Sequence, residues 1–546
     1  SPRFALFAAF LIASGLLPNE SLALSSNGTQ RLGKDVSSVV GWDGQEFSEA
    51  DVVHAEKRLL APSAPAHTWN NWAGNQVADP ALIFKPKTVE ELIAIIGQAK
   101  AANKKVRAAG TGHSWSSSSV VNQDGYMVNI SNMDKIYKPV QGADGTWTVE
   151  VETGVTVKAL DDHLRQNNPP LALPSNVVLT SVRYGGILAM GCHGAATKTG
   201  TLPDLVTQVK IVDSNGTLNT FTKEKDPLEF SAATVNLGLM GIIYSYTMKI
   251  EPMFNLKMAN LHAIDTHPLV SELFNDPKTG GAKLKAMVLG NDQTEIFYWP
   301  FNAPLFGVSN DRLWVKEWER STAPATDNAI KDLLSAALQN LETSLGAKVY
   351  DFLAANPTST PFIMPIMYQA VSADSSVVVH APNAIHYNAG IENMPCLDLE
   401  MAFKVDSNFE NVVKAWNYVI DQIYAYAKIG KFPVNLTMEM RFVKSSSMLM
   451  SPAYDEDPEA IYCMIEILSV VNTKDFNDFS IKIAQYWMEN FEAKPHWAKM
   501  WEHVPGIVPY LRQKSGAQYD KFESIRQKYD PSGMFMTGTF AGLLGH

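Results

Sequence analysis

Two glycine-rich segments, each carrying a histidine, constrain most strongly what this chain can fold into. The first is Gly110-Thr111-Gly112-His113-Ser114, and the second runs from Gly185-Gly186 to Gly191-Cys192-His193-Gly194. Glycine allows positive φ and close backbone approach, and successive N–H groups in such a loop can cradle a phosphate. The dinucleotide fingerprint of the doubly wound fold needs a third glycine where this chain has Trp115. We therefore expect loops that lie against a flat cofactor, without that fingerprint.

Helices and short strands alternate around these segments. An apolar strand is predicted at 82–84, and Thr88 with Glu91 forms a capping box for the amphipathic helix that follows. Strands at 206–212 and 217–221 flank the turn residues Ser214-Asn215-Gly216, which favours a hairpin. The pattern predicts an α+β domain over residues 67–253.

The chain changes character after residue 253. It becomes richer in aromatic residues, with Phe297-Tyr298-Trp299 followed by Trp314 and Trp318, which are expected to share one face of a strand. We place a second domain at 254–495. Residues 24 to about 66 are polar and irregular and are interpreted as a leader.

The N-terminus has the layout of a secretory signal peptide. An apolar run at 4–17 follows Arg3 and precedes the small residues of Ser21-Leu22-Ala23. The run is shorter than the ~18 residues of a membrane span. Residues 1–24 are therefore predicted to direct the chain to the endoplasmic reticulum lumen or the exterior; an uncleaved anchor is the alternative and the one route to membrane association. Five glycosylation triplets fit a secreted glycoprotein: Asn19, Asn27, Asn129, Asn215 and Asn435.

Charge and cysteine content exclude other classes. Lys and Arg total 45 against 56 Asp and Glu, a net charge of −11, which argues against a nucleic-acid partner. Three cysteines, Cys192, Cys396 and Cys463, cannot form a disulfide framework, and none lies in a Cys-x-x-Cys pair. No metal site is predicted.

Several motifs in order resemble the vanillyl-alcohol oxidase superfamily of flavoproteins. Beside the two glycine segments, these motifs are Trp69-Asn70-Asn71-Trp72, Gly238-Leu239-Met240-Gly241-Ile242-Ile243, Met438-Glu439-Met440-Arg441-Phe442, Leu449-Met450-Ser451-Pro452, His496-Trp497-Ala498-Lys499 and Tyr529-Asp530-Pro531-Ser532-Gly533. The resemblance runs from Trp69 to the C-terminus and is strongest to the aldonolactone oxidases, which act on L-gulonolactone or D-arabinonolactone. It implies a two-domain FAD-binding fold of the PCMH type with a mixed-sheet cap over the substrate, and a segment 496–546 that returns to the FAD domain.

The same resemblance implies the cofactor and its contacts. The position that matches His113 is bonded covalently to the flavin 8α-methyl group in this family, so covalent FAD is expected here. Neutral imidazole is a nucleophile at ordinary pH, which suits this role; an uncoupled loop histidine is the alternative. The expected FAD-binding residues are Gly110, Thr111, Gly112, His113, Ser114, Gly185, Gly186, Gly191, Cys192, His193, Gly194, Gly241 and Ile242.

Glu439 and Arg441 are the first catalytic candidates. Their period-two spacing places both on one face of a strand, where a carboxylate and a guanidinium are costly to bury unless paired or used. In the resembled family this pair faces substrate. Arg441 is assigned to a substrate oxygen and to developing negative charge, and Glu439 to orienting Arg441 and accepting a substrate hydroxyl. A structural ion pair is the alternative.

Three further residues are candidate acids or bases. Lys499 is expected to have a lowered pKa through desolvation, so that it helps to take the proton; a surface lysine is the alternative. Glu466 stands where relatives have His or Asn and is a candidate base, unless it is an edge-strand residue facing water. Glu295 matches an acid/base of covalent-flavin cholesterol oxidases, whose cap resembles the aromatic stretch here, unless it is simply solvated. His496 is equally compatible with packing, and Ala195 disfavours an alditol oxidase because those enzymes carry Ser.

Together these features predict an FAD-dependent oxidoreductase acting on CH–OH donors. The expected reaction is oxidation of an alcohol group on an aldonolactone, sugar or polyol, with hydride transfer to flavin N5 and reoxidation by O2 to hydrogen peroxide. One alternative is an oxidase of a sterol or other bulky alcohol with the same flavin. Another is a flavin dehydrogenase that uses a different electron acceptor, and a third is a non-catalytic flavin carrier.

Overall fold

The computed structural model describes residues 38–40, 46–48, 68–121, 124–264, 273–301, 311–326, 349, 351–371, 375–386 and 395–546. The chain divides into two compact units, Ser1–Thr68 and Trp69–His546. In the first, β1 (Ser38–Val40) pairs antiparallel with β2 (Glu46–Ser48). The predicted signal peptide and two of the triplets, Asn19 and Asn27, lie outside the described residues.

Strands and helices alternate through the second unit. Its strands are β3 Trp69–Asn70, β4 Val77–Ala78, β5 Leu82–Phe84, β6 Val106–Ala109, β7 Tyr126–Asn129, β8 Val140–Gln141, β9 Trp147–Glu152, β10 Leu171–Ala172, β11 Val206–Val212, β12 Leu218–Thr222, β13 Ile242–Pro252, β14 Asn255–Ile264, β15 Gln293–Trp299, β16 Arg312–Ser321, β17 Ser375–His380, β18 Cys396–Lys404, β19 Met438–Lys444, β20 Ile461–Val470 and β21 Lys494–Pro495. Its helices are α1 Val89–Ala101, α2 Val157–Arg165, α3 Tyr184–Ala189, α4 Pro227–Thr234, α5 Pro277–Gly290, α6 Thr360–Val371, α7 Ala381–Ile385, α8 Glu410–Ala427, α9 Phe476–Phe491, α10 Ile507–Tyr529 and α11 Gly538–Leu543, with 3-10 turns at Ser117–Ser119, Ile130–Asn132, Leu202–Leu205 and Pro357–Ser359. None of the described helices is long and apolar enough to cross a bilayer.

The N-terminal part of this unit contains two small sheets. A parallel sheet has the order β5-β7-β6, and a second sheet has the order β12-β11-β13-β9-β8 with β10 paired to β13. Leu92 and Ile96 of α1 pack with Phe535 in one buried cluster, and Val106 N–H donates to the carbonyl of Met534 at 3.0 Å. Residues near the C-terminus therefore complete the core around β6, the strand that leads into the first glycine segment.

An eight-stranded sheet with the order β17-β14-β16-β15-β19-β20-β18-β21 forms the rest of the architecture. The α+β class is confirmed, but one detail of the expectation differs. We expected a mixed sheet here, and all its described pairs are antiparallel. The reason is that β15 and β16, and likewise β19 and β20, are neighbours both in the chain and in the sheet, and a direct return connection reverses the strand direction.

Local predictions hold with small shifts. Thr88 Oγ1 caps α1 by accepting from Glu91 N–H at 3.3 Å. The return bond of the predicted capping box starts one residue earlier, because Glu91 Oε2 accepts from Lys87 N–H at 2.7 Å. β11 and β12 pair antiparallel from Val212 opposite Leu218, so residues 213–217 form the predicted hairpin turn. Trp314 and Trp318 share a face, as expected.

Two of the predicted glycosylation sites, Asn435 and Asn215, differ in their exposure to solvent. Asn435 is fully buried, and its side chain bonds Thr473, Ser469 and the backbone of Val470. Glycosylation there is incompatible with the fold, whereas Asn215 is exposed in the hairpin turn. All three cysteines are free thiols.

Candidate active site

The first glycine segment leaves β6 and turns sharply at Gly112. Its φ is +75°, and a Cβ there would lie 3.2 Å from Trp69 Cζ2, so glycine is required by both conformation and space. The Gly112 carbonyl accepts from Trp72 N–H at 2.8 Å. The next residue, His113, stacks its ring on Trp72, with centroids 4.6 Å apart and planes at 19°.

The second glycine segment packs backbone against backbone. A Cβ at Gly185 would lie 1.9 Å from Thr153 Oγ1, and one at Gly194 would lie 2.5 Å from the carbonyl oxygen of Asn176. A Cβ at Gly110 would lie 3.6 Å from Arg183 Cδ, so the first segment adjoins the start of α3. The structure thus brings the start of both segments together.

The other predicted cofactor residues lie in different surroundings. Gly191, with φ +68°, faces Pro452, whose Cδ would be 3.0 Å from an added Cβ. Gly241 has φ +144° and admits the carbonyl oxygen of Val212, which would lie 2.4 Å from a Cβ. Gly241 therefore allows close sheet packing at the start of β13, and Ile242 is buried in the same core as Val212.

One face of the eight-stranded sheet collects charged residues. Glu295 on β15 lies opposite both Lys316 on β16 and Arg441 on β19. Glu439 lies opposite Glu466 on β20, and Glu466 in turn lies opposite Glu400 on β18. Directly opposed residues of antiparallel strands project to the same face, and Glu439 and Arg441 are two residues apart on β19. These side chains therefore form two adjacent rows on one face of the central strands.

Arg441 is held by three carboxylates. Its Nε donates to Glu439 Oε1 through a short contact and lies 3.6 Å from Glu295 Oε1. Its Nη2 lies 3.4 Å from Glu466 Oε2. All four residues are buried. The alternatives of a solvated Glu295 and of a Glu466 facing water at an edge are both wrong, because β15 and β20 are interior strands of the sheet.

Lys499 is held in a second ionic cluster beside the first. Its Nζ makes short contacts with Asp398 Oδ2 and Glu466 Oε1, and it lies 3.9 Å from Glu400 Oε2. Burial by itself would lower the pKa of Lys499, but the three carboxylates outweigh burial and hold that pKa well above its usual value. The expected lowered pKa is wrong, so Lys499 is a fixed cation and a poor proton acceptor.

The carboxylates differ in their affinity for a proton. Burial raises the pKa of Glu439 to about 8, even though Arg441 acts in the opposite direction. Burial also favours the neutral form of Glu466, but Lys499 reverses this and lowers the pKa of Glu466 to about 2. The expectation that Glu466 is a base is therefore not supported by its charge surroundings, and Glu439 is the better proton acceptor near neutral pH.

The two glycine segments reach this charged face through aromatic and imidazole rings. Lys499 Nζ lies 4.6 Å above the centroid of the Trp115 ring, two residues after His113. His193 Nε2 lies 3.1 Å from Glu400 Oε1, and its ring centroid is 5.5 Å from that of His496. Both histidine-bearing segments thus converge on the face that carries Glu439 and Arg441.

Sequence comparisons identify known proteins that are similar to this chain. A family model described as FAD binding domain matches residues 80–222, and one described as D-arabinono-1,4-lactone oxidase matches residues 282–541. L-gulono-1,4-lactone dehydrogenase of Mycobacterium tuberculosis is 25% identical over 478 residues, which cover 87% of this chain and 99% of that protein. L-gulonolactone oxidase of Scyliorhinus torazame is 24% identical over 494 residues, covering 86% and 96%. Together these matches support the vanillyl-alcohol oxidase superfamily for this chain.

A solved structure has a similar fold. A crystal structure of cholesterol oxidase from B. sterolicum superposes with a TM-score of 0.71 at 19% identity, and covers 88% of this chain and 98% of that one. At this identity the likeness concerns the fold alone.

Several observations test whether this superfamily fold can hold FAD in the present chain. Ser116 Oγ and Ser175 Oγ are buried and have no hydrogen-bond partner within the part of the chain that the structure describes, and buried hydroxyl groups normally have one. Gly186 is exposed, and a Cβ built on it meets nothing within 4 Å. Open backbone and unused hydroxyl groups at the two segments fit the polar, flat cofactor of the superfamily.

Some residues of the site were missed by the sequence analysis. Asp398 and Glu400 are buried on β18 and make contacts with Lys499; their alternation with apolar residues was the available sign. Arg107 is also buried, and its guanidinium donates to the carbonyls of four residues: Ser118, Leu237, Gly238 and Phe535. Burial lowers the pKa of Arg107 to about 10, so it stays charged and ties the first loop to the Gly238 turn.

His193, Glu400 and His496 are the described residues whose grouping could suit a metal ion. The hydrogen bond of His496 argues against one, whereas that of His193 is compatible with a ligand. His193 Nδ1 lies 2.8 Å from the Gly194 carbonyl, an acceptor, and therefore carries a proton. His496 Nδ1 accepts from Ala498 N–H at 3.1 Å, which leaves the proton of the neutral ring on Nε2. Burial lowers the pKa of His496 to about 3 and keeps this ring neutral.

Proposed function

We propose that this chain is an FAD-dependent oxidase of an alcohol group on an aldonolactone, sugar or polyol, with O2 as the electron acceptor and hydrogen peroxide as a product. The observation that carries the proposal is the buried Glu439–Arg441 pair on a sheet face that also contacts both glycine segments. The names of the matched lactone oxidases and dehydrogenase support the substrate class.

Arg441 and Glu439 divide the work on the substrate hydroxyl. The Arg441 guanidinium binds a substrate oxygen and stabilises the negative charge that develops as the hydroxyl loses its proton. Glu439 accepts that proton in its ionised form, and its pKa of about 8 keeps the two protonation states in exchange near neutral pH. Bound FAD would supply the hydride acceptor for the carbon of the same alcohol.

Lys499 and Glu466 act on this pair electrostatically. Glu466 contacts both Lys499 and Arg441, so it aligns the two cations and stays ionised. Glu295 lies between Arg441 and Lys316, 3.4 Å from the lysine nitrogen. We assign these residues to binding substrate hydroxyl groups and fixing the orientation of Arg441.

His113 is the proposed point of covalent attachment of FAD. It is half-buried at the turn that presents the first glycine segment, and its ring is oriented by Trp72. We also propose that FAD is bound by the domain at 67–253 together with the returning segment 496–546. The proposed location of the protein is secreted or lumenal.

A bulky alcohol, such as a sterol, is the second candidate substrate. Phe297 lies opposite both Glu439 and Trp314 in the sheet, and the Phe297 and Trp314 rings stack with centroids 4.7 Å apart. This aromatic surface next to the ionic pair would suit an apolar substrate. The dehydrogenase alternative is kept because one matched relative bears that name.

Three measurements test the proposal on the purified holoenzyme. Acid denaturation should leave yellow flavin on the native polypeptide but release it from His113→Ala; flavin that stays bound to the variant would exclude His113 as the anchor. Anaerobic bleaching by L-gulonolactone, xylitol or cholesterol separates the substrate classes, and no bleaching by any would contradict the proposed activity. Peroxide release under air separates an oxidase from a dehydrogenase.

A further inference from the structure

The segment around His113 is fixed from two directions. On one side, Asn71 Nδ2 donates to the Ser114 carbonyl at 2.9 Å, and Asn75 Nδ2 and Gln76 Nε2 each donate to the Trp115 carbonyl at 2.9 Å. All three donors belong to the connection between β3 and β4. The residues that follow His113 are therefore held by side-chain amides as well as by their own backbone.

On the other side, the Trp115 residue is bound to the eight-stranded sheet and to the segment after β21. Trp115 N–H donates to the Ala498 carbonyl at 2.7 Å, and its indole Nε1–H donates to the Cys396 carbonyl on β18 at 2.6 Å. Lys499 Nζ lies over its ring, a favourable cation–π geometry. Trp115 is buried, so these contacts determine a single orientation of the indole.

Trp115 also determines the position of the ring on which His113 stacks. The Trp72 ring meets the Trp115 ring edge to face, with centroids 5.7 Å apart and planes at 84°. Trp72 in turn stacks on His113. A continuous series of ring contacts therefore runs from Lys499, which is bound to Glu466, through Trp115 and Trp72 to the imidazole of His113.

We propose that Trp115 is a positioning residue for flavin attachment: it orients the His113 imidazole by holding the loop and the Trp72 ring against β18 and Lys499. The inference rests on the proposed covalent bond at His113. Attachment would form a bond between a His113 ring nitrogen and the 8α carbon and break one C–H bond of that methyl group; the proton would leave to solvent, and the two electrons would pass into the flavin and from it to O2, the acceptor of the proposed function. Bond formation between two groups depends steeply on their alignment, and a displacement of about 1 Å can slow a reaction by about 10²-fold. The eight-stranded sheet, which carries the proposed substrate-binding residues, therefore also fixes the position of the loop to which the cofactor would be attached.

The test measures covalent flavin in two variants of the full chain. Trp115→Phe keeps an aromatic face for Lys499 and Trp72 but loses the indole N–H bond, and Trp115→Leu loses both. Each variant is expressed with limiting riboflavin and then incubated with FAD, and acid-precipitable flavin per polypeptide is followed with time. We expect attachment to be slower in Trp115→Phe and slowest, by up to about 10²-fold, in Trp115→Leu.

Matched controls separate positioning from loss of folding. Trp147 is a half-buried tryptophan on β9, and Trp147→Phe and Trp147→Leu should attach flavin at the native rate. The thermal midpoint and the dissociation constant of non-covalent FAD are measured in every variant. Slow attachment at an unchanged midpoint and FAD affinity supports the inference.

Other outcomes contradict it in distinguishable ways. Native attachment rates in both Trp115 variants, with His113→Ala unable to attach flavin, would overturn the role of Trp115 and leave His113 as the anchor. If attachment slows only in proportion to a lowered thermal midpoint, and does so in the Trp147 variants as well, Trp115 has a purely structural role. A native chain without covalent flavin would refute the attachment at His113, and the role of Trp115 with it.

Discussion

The two glycine segments and the charged sheet face meet at one junction but are maintained by different interactions. The segments depend on backbone conformation: Gly112 and Gly191 have positive φ, and Gly185 and Gly194 leave no room for a side chain. The sheet face depends on charge, since Arg441 and Lys499 are each surrounded by carboxylates. The glycine segments therefore tolerate few other residue types at these positions. The charged sheet face is stable only if each buried charge keeps its oppositely charged partner.

The largest expected effect is on turnover, from loss of the cation at the centre of the charged face. Arg441→Ala should reduce kcat by about 10²–10³-fold, because the developing negative charge loses its stabilising group, while flavin absorbance per polypeptide stays near native. Arg320→Ala is the control: Arg320 pairs with Glu251 at 2.5 Å but its side chain is 44% exposed. If Arg441→Ala keeps native turnover, the Glu439–Arg441 pair has a structural role and no part in catalysis.

Removal of the second cation should mainly affect stability. Lys499→Met keeps the length of the side chain but leaves Asp398 and Glu466 without their shared partner, and breaking a buried pair in this way costs about 3–5 kcal/mol. Urea unfolding measures the change in the free energy of unfolding. Lys404→Met, which removes a half-exposed partner of Asp455, should change it little. Equal effects would show that burial does not distinguish the two pairs.

The raised pKa of Glu439 predicts a pH dependence with a defined sign. The carboxyl group has an ordinary value of 4.5 and a value of about 8 in the folded chain, so between these values the folded state binds the proton more tightly. Its contribution to stability is complete below pH 4.5 and is lost as the pH rises to about 8. Glu439→Gln should reduce the loss of stability over that range in urea unfolding at several pH values. An unchanged pH profile would mean that Glu439 is ionised throughout.

The smallest expected effect is a change in the free energy of unfolding when a glycine of the first segment is replaced. Gly112→Ala introduces a Cβ at φ +75° and 3.2 Å from Trp69 Cζ2, which should cost about 1–2 kcal/mol. Gly97→Ala is the opposite control, because Gly97 lies exposed in α1 with nothing within 4 Å of an added Cβ, and alanine favours a helix by about 1 kcal/mol. Thermal unfolding compares the two. A stabilised Gly112→Ala variant would show that the turn is not strained.

Much of the fold could be predicted because the relevant signals are local. The start of α1, the β11–β12 hairpin and the shared face of Trp314 and Trp318 follow from spacing and turn residues. The pairing of Glu439 with Arg441 also follows from a separation of two residues in a strand. The arrangement of all eight strands as an antiparallel sheet did not follow, since strand order depends on contacts between distant segments.

The charge states of the site illustrate what could not be predicted. The expected lowered pKa of Lys499 is wrong because Asp398, Glu400 and Glu466, all distant from it in sequence, surround its ammonium group. Lys499 in turn lowers the pKa of Glu466, which had been a candidate base. A pKa depends on the distances to all neighbouring charges and on burial, and no sequence pattern encodes these distances.

The sequence by itself determined that this chain has an α+β fold with two glycine segments shaped for a cofactor, since backbone conformation depends on residue type at each position. The tertiary structure decided which charges share the sheet face, which of them hold protons, and that Trp115 connects this face to the loop of His113. These features depend on strand register and on burial, and both arise only when the whole chain is packed.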